Sequence, residues 1–445
     1  MKIVFIENRY KTWFWEKLAK RLVLDVPDLE VIWIVQNPVF APRYGKINVI
    51  PFPARHDLRP AKIDQSTIKI SKADRNLNYF GGSAEHYEYY REKIVQILSS
   101  VGPNVVVGES TLFHELMAIE WCRISGVRYL QPIMIGYPGG RYTVYRDDTK
   151  ESVIEHSDVP TDDECRDVLN AICKRQIVPD YMKAINAGDP ERHYPVPGSF
   201  KDRLNIIAGY YRGERFNTPS PFVKFRLNRA LKANLARWEA IARTRTSNSQ
   251  KLKILYPMQL QPESNLDVWG QKYRDQAGLV KAIADSLPSA WELIVKLNPK
   301  VKYELSHELL QVVESKSNII PLAADTKMAG VFDFVDVVAT VTGTIAVECV
   351  LSGKPVLSFG PSIVDGYAGC VSLDGFDSIP DILCEIEQRT FQVSEHAERV
   401  RLIKSLYRTT FPGNISDPAT RPEVMLDENI IEVSGRISLI LKGEI

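Results

Sequence analysis

Apolar residues gather in short runs in both the first and the last part of this chain, and helical periodicity fills many of the gaps between them. In the first part the runs predict strands at Lys2–Ile6, Val31–Val35, Asn48–Ile50, Asn104–Val107 and Arg128–Gln131. Apolar positions recurring every three or four residues predict helices at Trp13–Val23, His86–Ser99 and Leu112–Ser125. A second set of strands follows at Lys253–Tyr256, Leu293–Lys296, Asn318–Ile320, Val335–Ala339 and Pro355–Ser358, with a short one near Cys370–Leu373. Helices Asp377–Gln388, Ser394–Thr409 and Ile430–Leu441 close the chain. Strands alternating with helices in this way predict an α/β fold of parallel sheets.

The character changes from about residue 145 to 220, where a charged helical stretch (Thr161–Ala187) and an irregular segment (Gly188–Ser220) read as an insertion. Ser220 is a helix N-cap with Pro221 at the first helical position, opening a basic helix to about Arg243. Thr244–Gln250, T-R-T-S-N-S-Q, reads as a linker. The expected organisation is a Rossmann-like domain over 1–243, the linker at 244–250, a second Rossmann-like domain over 251–410, and a tail with a helix at 411–445.

A chain of 445 residues holds two or three cores. With 56 Lys plus Arg against 55 Asp plus Glu there is no global field to attract nucleic acid, so no nucleic-acid partner is expected. Six scattered cysteines form no C-x-x-C pair and no H-E-x-x-H occurs, so neither a metal knuckle, a cofactor nor a disulfide framework is predicted. The N-terminus enters a strand directly without signal-peptide regions, and no run of about 18 apolar residues exists. The expected location is the cytoplasm, with peripheral attachment at the inner membrane compatible with it.

Chemistry concentrates at predicted strand ends. Thr342-Gly343-Thr344, between the run Val335–Ala339 and a short helix carrying Glu348, suits a phosphate at a helix start, with Glu348 one turn on for a ribose. An ordinary βαβ turn reads the same way. Gln261 and Glu263 follow strand Lys253–Tyr256: the amide suits a sugar hydroxyl and the carboxylate nucleophilic or acid–base work, although Glu263 equally suits a helix cap. Lys296 ends its strand, where a cation can neutralise a phosphate or simply meet solvent. In the first domain Glu7-Asn8-Arg9 and Glu109 stand at strand ends, although the Glu109 block equally suits a helix cap by Ser110 or Thr111. Arg141 lies in a Gly-rich segment that reads first as a plain turn and otherwise suits an acidic sugar.

Three blocks carry a resemblance: Gln259-Leu260-Gln261-Pro262-Glu263, Lys296-Leu297-Asn298-Pro299, and Thr342-Gly343-Thr344 with Glu348 and Gly353-Lys354-Pro355-Val356. They are similar to the Q-x-Q-P-E, K-x-H-P and T-G-T-x-x-x-E blocks of bacterial surface-polysaccharide glycosyltransferases. Glu7–Thr12 and Trp33–Asn37 are similar to the retaining β-Kdo transferases of O-antigen and capsule assembly. The resemblance is best over 251–362 and implies a GT-B-like architecture, two Rossmann-like domains facing a cleft. It also implies a CMP-sugar donor, CMP-Kdo, and a glycan or lipid-linked acceptor, with peripheral membrane or assembly-complex partners. By that resemblance Glu263 is the carboxylate that engages the anomeric carbon; Glu7, a carboxylate at a first-domain strand end, is the candidate acid–base partner. The same resemblance implies that Lys296, Asn298, Thr342, Gly343, Thr344 and Glu348 bind the nucleotide. Gln261, Asn8, Arg9, Glu109 and Arg141 are the sugar-binding candidates from their places at strand ends and in the Gly-rich turn. Two departures stand out: Asn298 replaces the family His, and Asn cannot carry its charge; Glu263 replaces Asp. No D-x-D occurs, so no divalent metal is implied. A sugar-nucleotide epimerase of the same shape and a non-catalytic assembly subunit are the competing readings.

Overall fold

Strands β1 (Lys2–Ile6), β2 (Glu30–Val35), β3 (Lys46–Val49), β4 (Val105–Val107), β5 (Arg128–Met134) and β6 (Arg141–Arg146) build the first sheet. The strand Phe411–Pro412, from the far end of the chain, completes it beside β6. The order runs β6-β5-β4-β1-β2-β3, parallel from β3 through β5, with β6 antiparallel. Our structure is a computed structural model and describes residues 1–177, 179, 198–248 and 250–445. Residues 178 and 180–187 of the expected charged helix, 188–197 of the expected irregular segment and Ser249 of the linker lie outside the described residues.

The second sheet holds β7 (Leu252–Pro257), β8 (Trp291–Lys296), β9 (Ile319–Pro321), β10 (Val337–Thr340), β11 (Val356–Ser358) and β12 (Cys370–Ser372). All pairings are parallel and the order is β9-β8-β7-β10-β11-β12, the doubly wound order of a dinucleotide-binding sheet. These strands read as continuous apolar runs because both sheet faces are covered. In each sheet the strand order reverses beside the first strand, between β1 and β4 in one and between β7 and β10 in the other. Ligands of open α/β sheets bind outside the carboxyl ends at that reversal.

Contacts divide the chain into two units: Met1–Val159, Val178–Val223 and Ser405–Ile445 form one, Pro160–Ile177 and Lys224–Lys404 the other. This differs from the expected boundaries at three places, each for a packing reason. The helix Pro221–Thr244 belongs mostly to the second unit, where Trp238 is buried in its core and donates from its indole to the Leu322 carbonyl (2.8 Å). The helix Asp162–Cys173 also joins the second unit, against the helix Ile345–Ser352. The tail joins the first: the helix Asp427–Lys442 packs on the helix Lys11–Asp25, and Val433, Ile437 and Ile440 share a core with Phe5 and Trp15. The segment expected to be irregular instead holds the helix Phe200–Arg212, started by Ser199, whose hydroxyl accepts from the Asp202 N–H. The other expected strands stand close to the structure. β6 was not expected, because the Gly-rich turn before it hid the hairpin that pairs it with β5. No helix among the described residues is long and apolar enough to cross a membrane.

Candidate functional site

In the second unit the three sequence blocks meet at the carboxyl ends of three neighbouring strands, β8, β7 and β10. Gln259, just past β7, sets the centre. With its carboxamide oxygen turned to the loop after β10, it accepts from the N–H groups of Gly343 (3.0 Å), Thr342 (3.1 Å) and Val341 (3.2 Å). Gly343 is required here, since a Cβ would stand 2.6 Å from the Thr340 hydroxyl. Thr342 donates its hydroxyl to the Asn265 carbonyl (2.8 Å). The N–H groups expected to face a phosphate thus face Gln259 instead, because a buried amide oxygen must be satisfied. Thr344 and the start of the helix Ile345–Ser352 come directly after.

Gln261 is buried and fully engaged: its amide donates to Asp267 (3.1 Å) and the Arg274 carbonyl (3.0 Å) and accepts from Gln276 (3.0 Å). It braces the loop rather than presenting itself to a sugar. Glu263 remains half-buried at the loop tip, where its carboxylate accepts from the Asn265 amide (3.1 Å) and its carbonyl starts the next helical turn. Lys296 is only 4% exposed, and its ammonium donates to the Leu297 carbonyl (3.1 Å) with no ion-pair partner among the described residues. Burial lowers its pKa. Asn298 accepts from the Lys300 N–H (2.9 Å), a local turn contact. Glu348, expected toward a ribose, pairs with Arg175 at 2.5 Å, and Arg175 in turn stacks on the Phe332 ring (4.2 Å). Sequence reasoning missed Arg175, Gln276 and Glu304. Glu304 is buried, accepts from the Lys302 N–H (3.1 Å), leaves its other oxygen unpaired among the described residues, and has its pKa raised to about 7 by burial.

The first unit holds a cavity of about 480 Å³ at the strand-order reversal, lined among others by Asn8, Arg9, Lys11, Glu109, Asp417 and Arg421. Asn8 donates to Glu115 (2.7 Å) and Glu109 (3.0 Å), and Lys11 forms an ion pair with Glu109. Arg9 donates to the Asn217 carbonyl (2.5 Å). Burial raises the Asp417 carboxyl to about 6. Glu7 does not line this cavity. Its two oxygens accept from the backbone N–H groups of Arg9 (2.6 Å) and Asn37 (2.8 Å), so its carboxylate organises the loop; burial raises its pKa to about 7 despite those bonds. Arg141 is also absent from the lining: it donates to the hydroxyl and carbonyl of Thr410 (2.8 and 2.6 Å) and lies over the Tyr407 ring, tying β6 to the tail. Asp417 and Arg421 left no signal in the sequence, because only the fold of the tail brings them here.

A family model described as capsule polysaccharide biosynthesis protein matches residues 207–369, a stretch that contains all three sequence blocks. No curated protein matches. Among solved structures, the β-Kdo 2,7 transferase of Thermosulfurimonas dismutans KpsC is 11% identical at a TM-score of 0.42, over 97% of this chain and 99% of that one. The β-Kdo 2,4 transferase of the same protein is 12% identical at 0.37, over 87% and 98%. Anabaena Alr3699/HepE, solved with UDP and glucose, is 12% identical at 0.30, over the whole of both chains. The fold class is α/β, with a Rossmann-like sheet in each unit, and residues 207–369 resemble capsule polysaccharide biosynthesis proteins.

Proposed function

We propose that the protein is a glycosyltransferase of surface-polysaccharide assembly, moving Kdo or a related 3-deoxy-ulosonic acid from its CMP donor to a glycan or lipid-linked acceptor, with retention. The observation that carries this reading is the convergence of the three blocks at the ends of β8, β7 and β10, around a buried ammonium with no carboxylate partner among the described residues. In this reading the donor phosphate pairs with Lys296 and meets Thr344 at the helix start, which neutralise the departing charge without a divalent metal. Glu263, half-buried at its loop tip, engages the anomeric carbon. The acceptor occupies the cavity of the first unit, where Glu109 and Asp417 are the carboxylates in contact with it; Glu7 supports the loop that shapes it. The reaction would take place on the cytoplasmic side of the inner membrane.

Thermal shift with CMP, CDP, UDP and GDP tests the reading. A ligand at about 100 times its dissociation constant adds about 2.7 kcal/mol of stability. The expected result is a CMP-selective shift that Lys296→Met abolishes, whereas Glu263→Gln keeps the shift and loses turnover. Selectivity for UDP, with interconversion of a free UDP-sugar, would establish the epimerase reading instead. Asn298, which stands where the resembled family has His and cannot carry its charge, favours a second reading, a non-catalytic subunit, which predicts a CMP shift without transfer to any acceptor.

A further inference from the structure

The helix Phe200–Arg212 is amphipathic the wrong way round for a helix in water. Phe200, Leu204, Ile207 and Tyr211 recur at intervals of four, three and four residues and so form one stripe. All four face solvent, at 78, 49, 40 and 69% exposure. The opposite side, with Asp202 and Gly209, is the buried one, and Asp202 accepts from the Tyr10 hydroxyl and from the Gly198 N–H (2.8 Å). Single exposed apolar side chains are ordinary, but an ordered stripe turned outward marks a contact surface.

The exposed charges on this helix have one sign. Lys201, Arg203 and Arg212 are exposed at the margins of the stripe, and the one acid of the helix, Asp202, is inside. The next helix repeats the composition: Phe222 and Phe225 are exposed beside Lys224, Arg226, Arg229 and Lys232, and no acidic residue precedes Glu239. We propose that the helix Phe200–Arg212 seats the protein on an anionic lipid bilayer, the apolar stripe entering the acyl boundary and the cations reaching the headgroups. Long Lys and Arg stems suit that boundary because they lie along apolar surface while their heads stay in water. A second copy of the chain would bring like charges together. A nucleic acid would satisfy the cations and leave Leu204 and Ile207 in water. An anionic bilayer answers both.

Co-sedimentation of the full chain with vesicles tests this. Binding is expected to phosphatidylcholine vesicles carrying about one-quarter phosphatidylglycerol and not to phosphatidylcholine alone, with release at about 0.5 M salt as screening predicts. Leu204→Ser with Ile207→Ser should lower partitioning at least about tenfold, as loss of buried apolar area requires, with an unchanged melting temperature. Lys201→Glu with Arg203→Glu should keep the stripe and lose the salt-sensitive part. The proposal is overturned by any of four results: no binding at either lipid composition; variant binding equal to wild type; a lower melting temperature in the serine variant, which would place the stripe inside the fold; or a dimer that this variant dissolves in a protein that ignores vesicles. None of these outcomes depends on whether CMP binds, so the surface and the proposed activity fail separately.

Discussion

At the scale of the residue, the groups that declare themselves are buried ionisable side chains with too few partners. Lys296 and Glu304 are both such groups and both belong to the second unit. Glu304 gives a prediction free of any assumption about substrate. In the folded protein it keeps its proton up to about pH 7, whereas its ordinary value is 4.5. Between those values the native state binds more protons than the unfolded one, so this group makes stability fall as pH rises from 4.5 to about 7. Above that window the cost of holding a buried charge is fully present. Glu304→Gln removes the charge, so its melting temperature should exceed that of wild type at pH 8, with the gap closing toward pH 4.5. Glu7 and Glu115, also raised to about 7, slope the same way in both proteins and cancel from the difference. A gap that does not change with pH would mean that Glu304 does not titrate in this window.

At the scale of the element, the helix Asp162–Cys173 packs on the helix Ile345–Ser352, and Arg175, two residues past the first, pairs with Glu348 on the second. Both side chains are mostly buried, with 21 and 11% exposure, so removing one leaves an unpaired charge in a poor solvent. Each of Glu348→Gln and Arg175→Met should cost about 1–3 kcal/mol, less than the penalty for a fully buried pair. The double variant should cost less than the sum, and strict additivity in denaturant melts would show that the two do not interact. If Glu348 also reads the ribose, CMP stabilisation falls in Glu348→Gln and persists in Arg175→Met. The sequence made Glu348 visible because it sits in a dense block of Thr, Gly and Glu at a strand end. Arg175 was invisible: nothing local distinguishes it from any other basic residue, and its partner lies far along the chain. The same holds for Gln259, whose place in the block was legible but whose role, filling the turn with its own amide oxygen, depends on β7 and β10 being neighbours.

At the scale of the whole molecule, what was legible follows from locality. Parallel strands covered on both faces are continuous apolar runs, and helices carry their own period, so both sheets could be read almost strand by strand. The tail could not. The residues after Ser405 carry a helical period but no mark of where they go, and they return to a unit whose first strand begins at Lys2. There Phe411 pairs with Tyr142 on β6, and the buried face of the helix Asp427–Lys442 fills the core beside the helix Lys11–Asp25. The tail also brings Asp417 and Arg421 to the cavity, so the first unit's pocket is incomplete without it. Removing residues 411–445 should therefore act as a core deletion and not as the trimming of an end. Ile430, Val433, Ile437, Ile440 and Leu441 are all buried, and each large buried aliphatic removed costs about 2–5 kcal/mol. Together they amount to about 10–25 kcal/mol, as large as the roughly 5–15 kcal/mol that holds a typical domain. The truncated chain should lose the cooperative melt of the first unit. The second unit, whose core takes nothing after Lys404, should keep its own transition, and with it the shift produced by CMP. Calorimetry separates the two transitions. Two intact transitions after truncation would return the tail to the status of an appendage, and loss of both would mean that the second unit does not fold without the first.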